Sequence, residues 1–113
     1  MKEIKAYIKP HRLSAVTLAL HKLEGLSGMS VSDSRGFGRG GATRGALRVA
    51  EEVMDFLPGV RLEVMCQDDK VEEIVATIER AAHTGLRGDG KIFVTPVEMA
   101  VRISTGERGE AAL

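Results

Sequence analysis

Val60-Arg61-Leu62-Glu63-Val64-Met65-Cys66-Gln67 is followed by Asp68-Asp69-Lys70 and then by Val71-Glu72-Glu73-Ile74-Val75-Ala76-Thr77-Ile78-Glu79-Arg80-Ala81-Ala82, and this run decides the fold. In its first part the apolar Val60, Leu62, Val64 and Cys66 alternate with Arg61, Glu63, Met65 and Gln67. That period of two predicts a strand with one buried face. In its second part Val71, Ile74, Val75, Ile78 and Ala82 recur at helical spacing and form one apolar face. Asp68 or Asp69, between the two, is placed to cap the helix N-terminus.

The same order occurs nearer the start of the chain. Ile4, Ala6 and Ile8 alternate with Lys5, Tyr7 and Lys9, and Pro10 ends that strand. Leu13, Val16, Leu20 and Leu23 predict a helix from about residue 12, stopped by Gly25 and Gly28. Met29-Ser30-Val31-Ser32 opens a second strand running toward Phe37. Beyond the second helix, His83 to Gly90 reads as a loop, Lys91 to Val97 as a fourth strand and Met99 to Ile103 as a short fifth. Two such halves predict an α+β chain with the ferredoxin-like split βαβ (βαββαβ) fold, whose antiparallel sheet carries helices on one face only. The other face needs a cover, and for 113 residues in one domain the expected cover is another copy. Gly38 to Pro58 fits neither period, although Leu47, Val53, Met54 and Phe56 allow a helix over Ala46 to Phe56. A connection this long inside a compact domain tends to carry function.

Lysine plus arginine and aspartate plus glutamate are 16 each, so the formal charge is zero. This balance argues against a general nucleic-acid or acidic-membrane binder. The single cysteine, Cys66, precludes an intrachain disulfide and makes a reducing, cytoplasmic setting the default; its place in the strand pattern makes it a small core residue. No apolar stretch approaches the length of a signal-peptide core or a membrane span. His11, His21 and His83 share no ligand spacing, so no metal site is expected, and nothing places a catalytic triad.

Two glycine clusters invite a chemical reading. Gly36-Phe37-Gly38-Arg39-Gly40-Gly41 matches GxGxxG, but the chain is too short for the doubly wound sheet that motif requires. Its alternatives are a flexible hinge, or bare amides that with Arg39 approach a phosphate. Gly85-Leu86-Arg87-Gly88-Asp89-Gly90-Lys91-Ile92 nearly matches a P-loop. It fails where Ile92 replaces the magnesium-binding hydroxyl, and it leads from helix to strand, the reverse of that motif. By itself it reads as a glycine turn with an exposed lysine. Three glycines beside a lysine also suit a polyphosphate. Arg102, between Val101 and Ile103, is equally a solvated edge-strand charge or a ligand contact.

Taken together, Lys9-Pro10, Gly28-Met29-Ser30-Val31, Arg35-Gly36-Phe37-Gly38-Arg39, Asp55-Phe56-Leu57-Pro58, Thr84-Gly85, Gly88-Asp89-Gly90-Lys91-Ile92-Phe93-Val94 and Arg102-Ile103 with Thr105-Gly106-Glu107 resemble the PII nitrogen-regulatory signal-transduction family over almost the whole chain. The resemblance implies a cytoplasmic homotrimer with an adenine nucleotide (ATP, ADP or AMP) in each of three clefts between subunits. It implies that Gly36, Phe37, Gly38 and Arg39 meet ribose and phosphates, and that Gly28, Met29, Ser30 and the backbone near Met65 read adenine. Gly88, Asp89, Gly90 and Lys91 would cradle phosphates, and Arg102 would reach in from a neighbour. Residues 38–58 would be the T-loop, which docks on a membrane transporter or metabolic enzyme through residues such as Arg44, Arg48 and Glu52; residues 83–91 would be the phosphate loop and 98–113 a C-terminal segment. No catalytic residue is implied.

Departures from the family pattern sharpen the expectation to a divergent member. The glutamine that helps bind magnesium and 2-oxoglutarate is Gly40, which leaves magnesium open, and the basic residue that assists 2-oxoglutarate is Gly59. The uridylylated tyrosine is Glu52, and the second arginine of the C-terminal strand is Ser104. Losing that charge weakens recognition of a third phosphate more than that of AMP or ADP. The expected function is a sensor of the ADP or AMP to ATP balance. Alternatives are a regulator of bicarbonate or metal-ion transport with a different small effector, a slow ATPase using Asp89, and a structural trimer like the copper-tolerance protein of this architecture.

Overall fold

The computed structural model describes residues 1–37 and 56–113. Strand β1 (Lys2–Ile8) leads through a 3-10 turn (Pro10–Arg12) into helix α1 (Leu13–His21). Strands β2 (Ser30–Gly36) and β3 (Leu57–Cys66) follow. A second 3-10 turn (Asp68–Lys70) enters helix α2 (Val71–Ala82), and β4 (Gly90–Pro96) completes the sheet. A last 3-10 turn spans Gly109–Ala112. The sheet order is β2-β3-β1-β4, with every neighbouring pair antiparallel. This is the ferredoxin-like arrangement expected from the two strand–helix–strand halves.

The register puts Ile4 opposite Val64 and Val94, and Ala6 opposite Leu62 and Ile92. Directly opposed residues share a face. The alternating apolar set of β1 and β3 therefore lies under the helices, where it packs with Val16 and Leu20 of α1 and Ile74, Ile78 and Ala82 of α2. Ile4, Leu20, Leu62 and Ile78 are completely buried, each contributing about 1.5–3 kcal/mol through removal from water. Cys66 belongs to the same core, and burial pushes its thiol pKa up. Arg12 ties the two helices together: its Nε and Nη2 donate to the Ala81 carbonyl at 2.9 and 2.6 Å, filling an orphan acceptor at the end of α2. The opposite face carries Glu3, Lys5 and Tyr7 of β1, Arg61, Glu63 and Met65 of β3, and Lys91, Phe93 and Thr95 of β4. Tyr7 and Phe93 meet there edge to face, with ring centroids 6.2 Å apart.

Three local expectations change. Neither Asp68 nor Asp69 caps α2. A 3-10 turn precedes the helix, the N-cap is Lys70 without a side-chain bond, and the Asp68 carboxylate accepts from the Met1 amino nitrogen at 2.9 Å. Met99 to Ile103 is not a fifth strand. Its backbone groups are taken by a local hairpin: Arg102 N donates to Glu107 O at 2.9 Å, Gly109 N donates to Ala100 O at 2.9 Å, and Val101 bridges Arg108. The long connection ends sooner than Pro58, because Leu57 and Pro58 already pair with Gly36 and Arg35. Phe37 and Phe56 stack edge to face at its base, with centroids 6.3 Å apart. Phe56 itself is not helical, and the rest of the helix expected over Ala46 to Phe56 lies outside the described residues.

Candidate functional site

On the face that carries no α-helix among the described residues, the helix-free face, the end of the β2–β3 pair forms one wall of a groove of about 590 Å³. Gly28, Met29 and Ser30 enter it where the α1–β2 connection becomes a strand, and Met65 comes from β3. Ser30 lies directly opposite Glu63, which also lines the groove. Arg61 orients this carboxylate: its Nε lies 3.1 Å from Glu63 Oε1 and donates to Ser32 Oγ at 3.2 Å. The pair is partly exposed, so its worth is orientation rather than stability.

The C-terminal segment supplies the facing wall through Ala100, Arg102, Ala112 and Leu113. Arg102 Nη2 donates to the Leu113 carbonyl at 2.8 Å, and Nη1 donates to Glu107 Oε1 at 3.4 Å. Glu107 also accepts from the Thr105 hydroxyl at 3.0 Å. The family pattern implied an arginine reaching into a neighbour's cleft; within one chain it already lines the same groove as its own Met29, Ser30 and Met65. A guanidinium facing a groove with apolar Met29 and Met65 suits a ligand that is flat and apolar at one part and anionic at another.

The second cluster lies elsewhere. Between α2 and β4, Gly85, Gly88 and Gly90 adopt φ of 82°, 82° and 110°, so the chain bends tightly before it joins the sheet. A Cβ at Gly90 would overlap the Tyr7 carbonyl. Asp89 turns inward. Its carboxylate accepts from the Thr84 amide at 2.8 Å and from the Thr84 hydroxyl, while Lys9 Nζ lies 3.1 Å away and His83 Nδ1 3.5 Å away. The Thr84 hydroxyl, then the Thr84 amide, then Lys9 hold the Asp89 carboxyl well below the usual carboxylate range. Lys91 is exposed on the helix-free face, opposite Tyr7.

Gly28, Met29, Ser30, Met65 and Arg102 thus come together, as do Gly88, Asp89, Gly90 and Lys91. The two groups do not meet within one chain. Gly36 ends β2, one outer strand, with Phe37 just after it, and Gly90 begins β4, the other, with β3 and β1 between them. Three strand spacings separate those edges by about 14 Å. Gly38, Arg39, Gly40, Arg44, Arg48 and Glu52 lie outside the described residues. Sequence reasoning missed Glu63 as a lining residue, although its alternation with Leu62 and Val64 put it on the same face as Met65. It also missed Lys9 and Thr84 as partners of Asp89; neither contact has any spacing signal, since both depend on where β1 and α2 end.

The family described as "Nitrogen regulatory protein P-II" matches residues 1–107. This chain belongs to the P-II family. Nitrogen regulatory protein P-II of Azospirillum brasilense is 51% identical over 113 residues, covering 100% of both chains. Nitrogen regulatory protein P-II 1 of Escherichia coli is 47% identical, again covering 100% of each. The crystal structure of Arabidopsis thaliana PII bound to citrate superposes with a TM-score of 0.79 at 38% identity, covering 99% of this chain and 91% of that one. With about half of all positions identical to bacterial P-II proteins, the departures at Gly40, Glu52, Gly59 and Ser104 are local, not a divergence of the whole chain. As a P-II protein the chain is a nitrogen-regulatory signalling component rather than an enzyme. Among its described residues no helix is long and apolar enough to cross a membrane.

Proposed function

We propose that this P-II protein binds an adenine nucleotide between copies of the chain and passes its state to a transporter or enzyme through the segment 38–58. The observation that carries this reading is the split of the site. A groove with Met29, Ser30, Met65 and Arg102 sits beside outer strand β2, and a glycine loop with Lys91 sits beside outer strand β4. A second copy that brings its β4 edge to the β2 edge of the first unites the two halves, and three copies close a ring. The groove takes the base, the neighbour's Gly88–Lys91 takes the phosphates, and Arg102 adds charge. Ser104 in place of a second arginine favours ADP and AMP over ATP, relative to a member that has both arginines. Gly40 and Gly59 make the 2-oxoglutarate response weak, and Glu52 removes the uridylylation switch. The setting is cytoplasmic.

The Arabidopsis PII structure is described as bound to citrate, so polycarboxylates belong among the effectors tried. The test is calorimetric titration of the purified protein with ATP, ADP and AMP, each with and without magnesium, 2-oxoglutarate, bicarbonate and citrate. Saturable nucleotide binding, with ADP or AMP at least as tight as ATP, supports the reading. No binding of any adenine nucleotide refutes it, and tight magnesium-dependent 2-oxoglutarate binding refutes the roles given to Gly40 and Gly59.

A further inference from the structure

Lys9, Thr84 and Asp89 come from three separate places. Lys9 lies between β1 and the Pro10 turn, Thr84 just after α2, and Asp89 just before β4. Their polar atoms nevertheless converge. The Asp89 carboxylate takes the Thr84 amide at 2.8 Å and the Thr84 hydroxyl, and Lys9 Nζ lies 3.1 Å from Asp89 Oδ1 and 3.3 Å from Thr84 Oγ1. The Leu86 amide donates back to Thr84 Oγ1 at 3.1 Å. The Lys9 and Asp89 side chains keep only 19% and 23% of their exposure, so this neck is shielded while Leu86, Arg87 and Gly88 above it are exposed.

We infer that Lys9 and Thr84 are positioning residues which, through Asp89, clasp the neck of the 84–89 loop and hold Gly88 to Lys91 ready for a phosphate anion. The inference rests on the reading of this loop as a phosphate site and deepens it. Two physical effects follow from the geometry. The Thr84–Asp89 bonds close a glycine-containing ring, so the loop is ordered before a ligand arrives and binding does not bear that entropy. Lys9 offsets the Asp89 charge, which would otherwise repel phosphate two residues from Lys91. Asp89 therefore acts as the anchor of the loop and not as a contact of the ligand.

The two effects predict different signatures in the full-length protein. Thr84→Val removes the hydroxyl's bonds to Asp89, Lys9 and the Leu86 amide, leaving only the amide of residue 84 to close the ring, and raises the Kd for ADP and AMP by a similar factor, roughly tenfold. Amide hydrogen exchange at residues 85–90 of the nucleotide-free protein speeds up in parallel, and Thr84→Ser restores both properties. Lys9→Met raises the Kd for ADP more than that for AMP, because the uncovered carboxylate repels the ligand with more phosphate charge. Lys9→Gln repeats this test should Lys9→Met fail to fold, and Thr84→Ala does so for Thr84→Val. Lys91→Met weakens binding while loop exchange stays slow, separating the ligand contact from the clasp. Folded Thr84 and Lys9 variants that bind ADP and AMP as the unaltered protein does would overturn the clasp and leave the nucleotide reading standing. Failure of the unaltered protein to bind either nucleotide removes that reading and the positioning role with it, even where exchange shows the neck closed.

Discussion

Asp89 illustrates how one residue's neighbours fix its behaviour across pH. Its folded pKa is depressed, first by the Thr84 hydroxyl, then by the Thr84 amide and by Lys9. A depressed carboxylate contributes stability above its unfolded pKa of about 4, and that contribution is lost only as pH falls through the lower folded value. The Thr84–Asp89 closure should therefore persist at about pH 4, where ordinary carboxylates are half protonated. Following the Thr84 amide by NMR during an acid titration checks this; a transition at the ordinary carboxylate pKa would contradict it. Gly90, the next residue, is constrained sterically. Its φ of 110° and its contact with the Tyr7 carbonyl exclude any side chain. Gly90→Ala should lower unfolding stability by at least about 2 kcal/mol, read from urea denaturation. A fall well below that size would show that the loop can move away from β1.

At the scale of elements, α1 offers a contrast within two residues. Leu20 is completely buried against the sheet, whereas Leu18 keeps 62% of its exposure. Leu20→Ala should cost about 2–5 kcal/mol through lost burial and a cavity. Leu18→Ala should stay within about 0.5 kcal/mol. Urea unfolding of the two variants decides, and similar losses would mean that the Leu18 face is covered by something in solution. Leu20 belongs to the helical stripe of Leu13 and Val16 that the sequence predicted, and Leu18 lies off it. The strands under that stripe were as legible, since Ile4, Ala6 and Ile8 keep the strict period that one buried face imposes. What periodicity could not show were competitions between backbone partners. Met99 to Ile103 has strand-like residues, but the hairpin closed by Arg102 and Glu107 satisfies its backbone locally. The cap expected at Asp68 failed likewise, because a 3-10 turn intervenes before α2. Of the site, the glycine loop and the Ser30–Met65 groove were readable from pattern and family resemblance. The contacts of Lys9 with Asp89 and of Arg61 with Glu63 were not, because they are set by side-chain geometry where elements end or pair.

At the scale of the molecule, the question is what covers the helix-free face. Tyr7, Phe93 and Met65 are exposed there at 36%, 49% and 36%, set among Glu3, Lys5, Arg61, Glu63 and Lys91. This mixture is too polar for a core and too aromatic for a face meant only for water, and it matches the composition of interfaces between folded subunits. Phe93 sits opposite Lys5 and against Tyr7, near the middle of the β1–β4 pair. Lys5 stands opposite, yet a carboxylate at this point would be stripped of water wherever a second copy covers it, a cost that exceeds what one ion pair returns, and would remain hydrated in a lone chain. Phe93→Glu should therefore leave circular dichroism nearly unchanged while shifting the mass in solution. Light scattering should give about three times the 12.2 kDa chain mass for the unaltered protein and a single chain mass for the variant. Because the proposed nucleotide site has one half beside each outer strand, the variant should lose nucleotide binding together with assembly, although no residue of the groove or of the 83–91 loop has been changed. A variant that remains assembled would place the subunit contact elsewhere. A dissociated variant that still binds nucleotide tightly would show that one chain suffices for the site and that the separation of Ser30 from Lys91 across the sheet has no bearing on function.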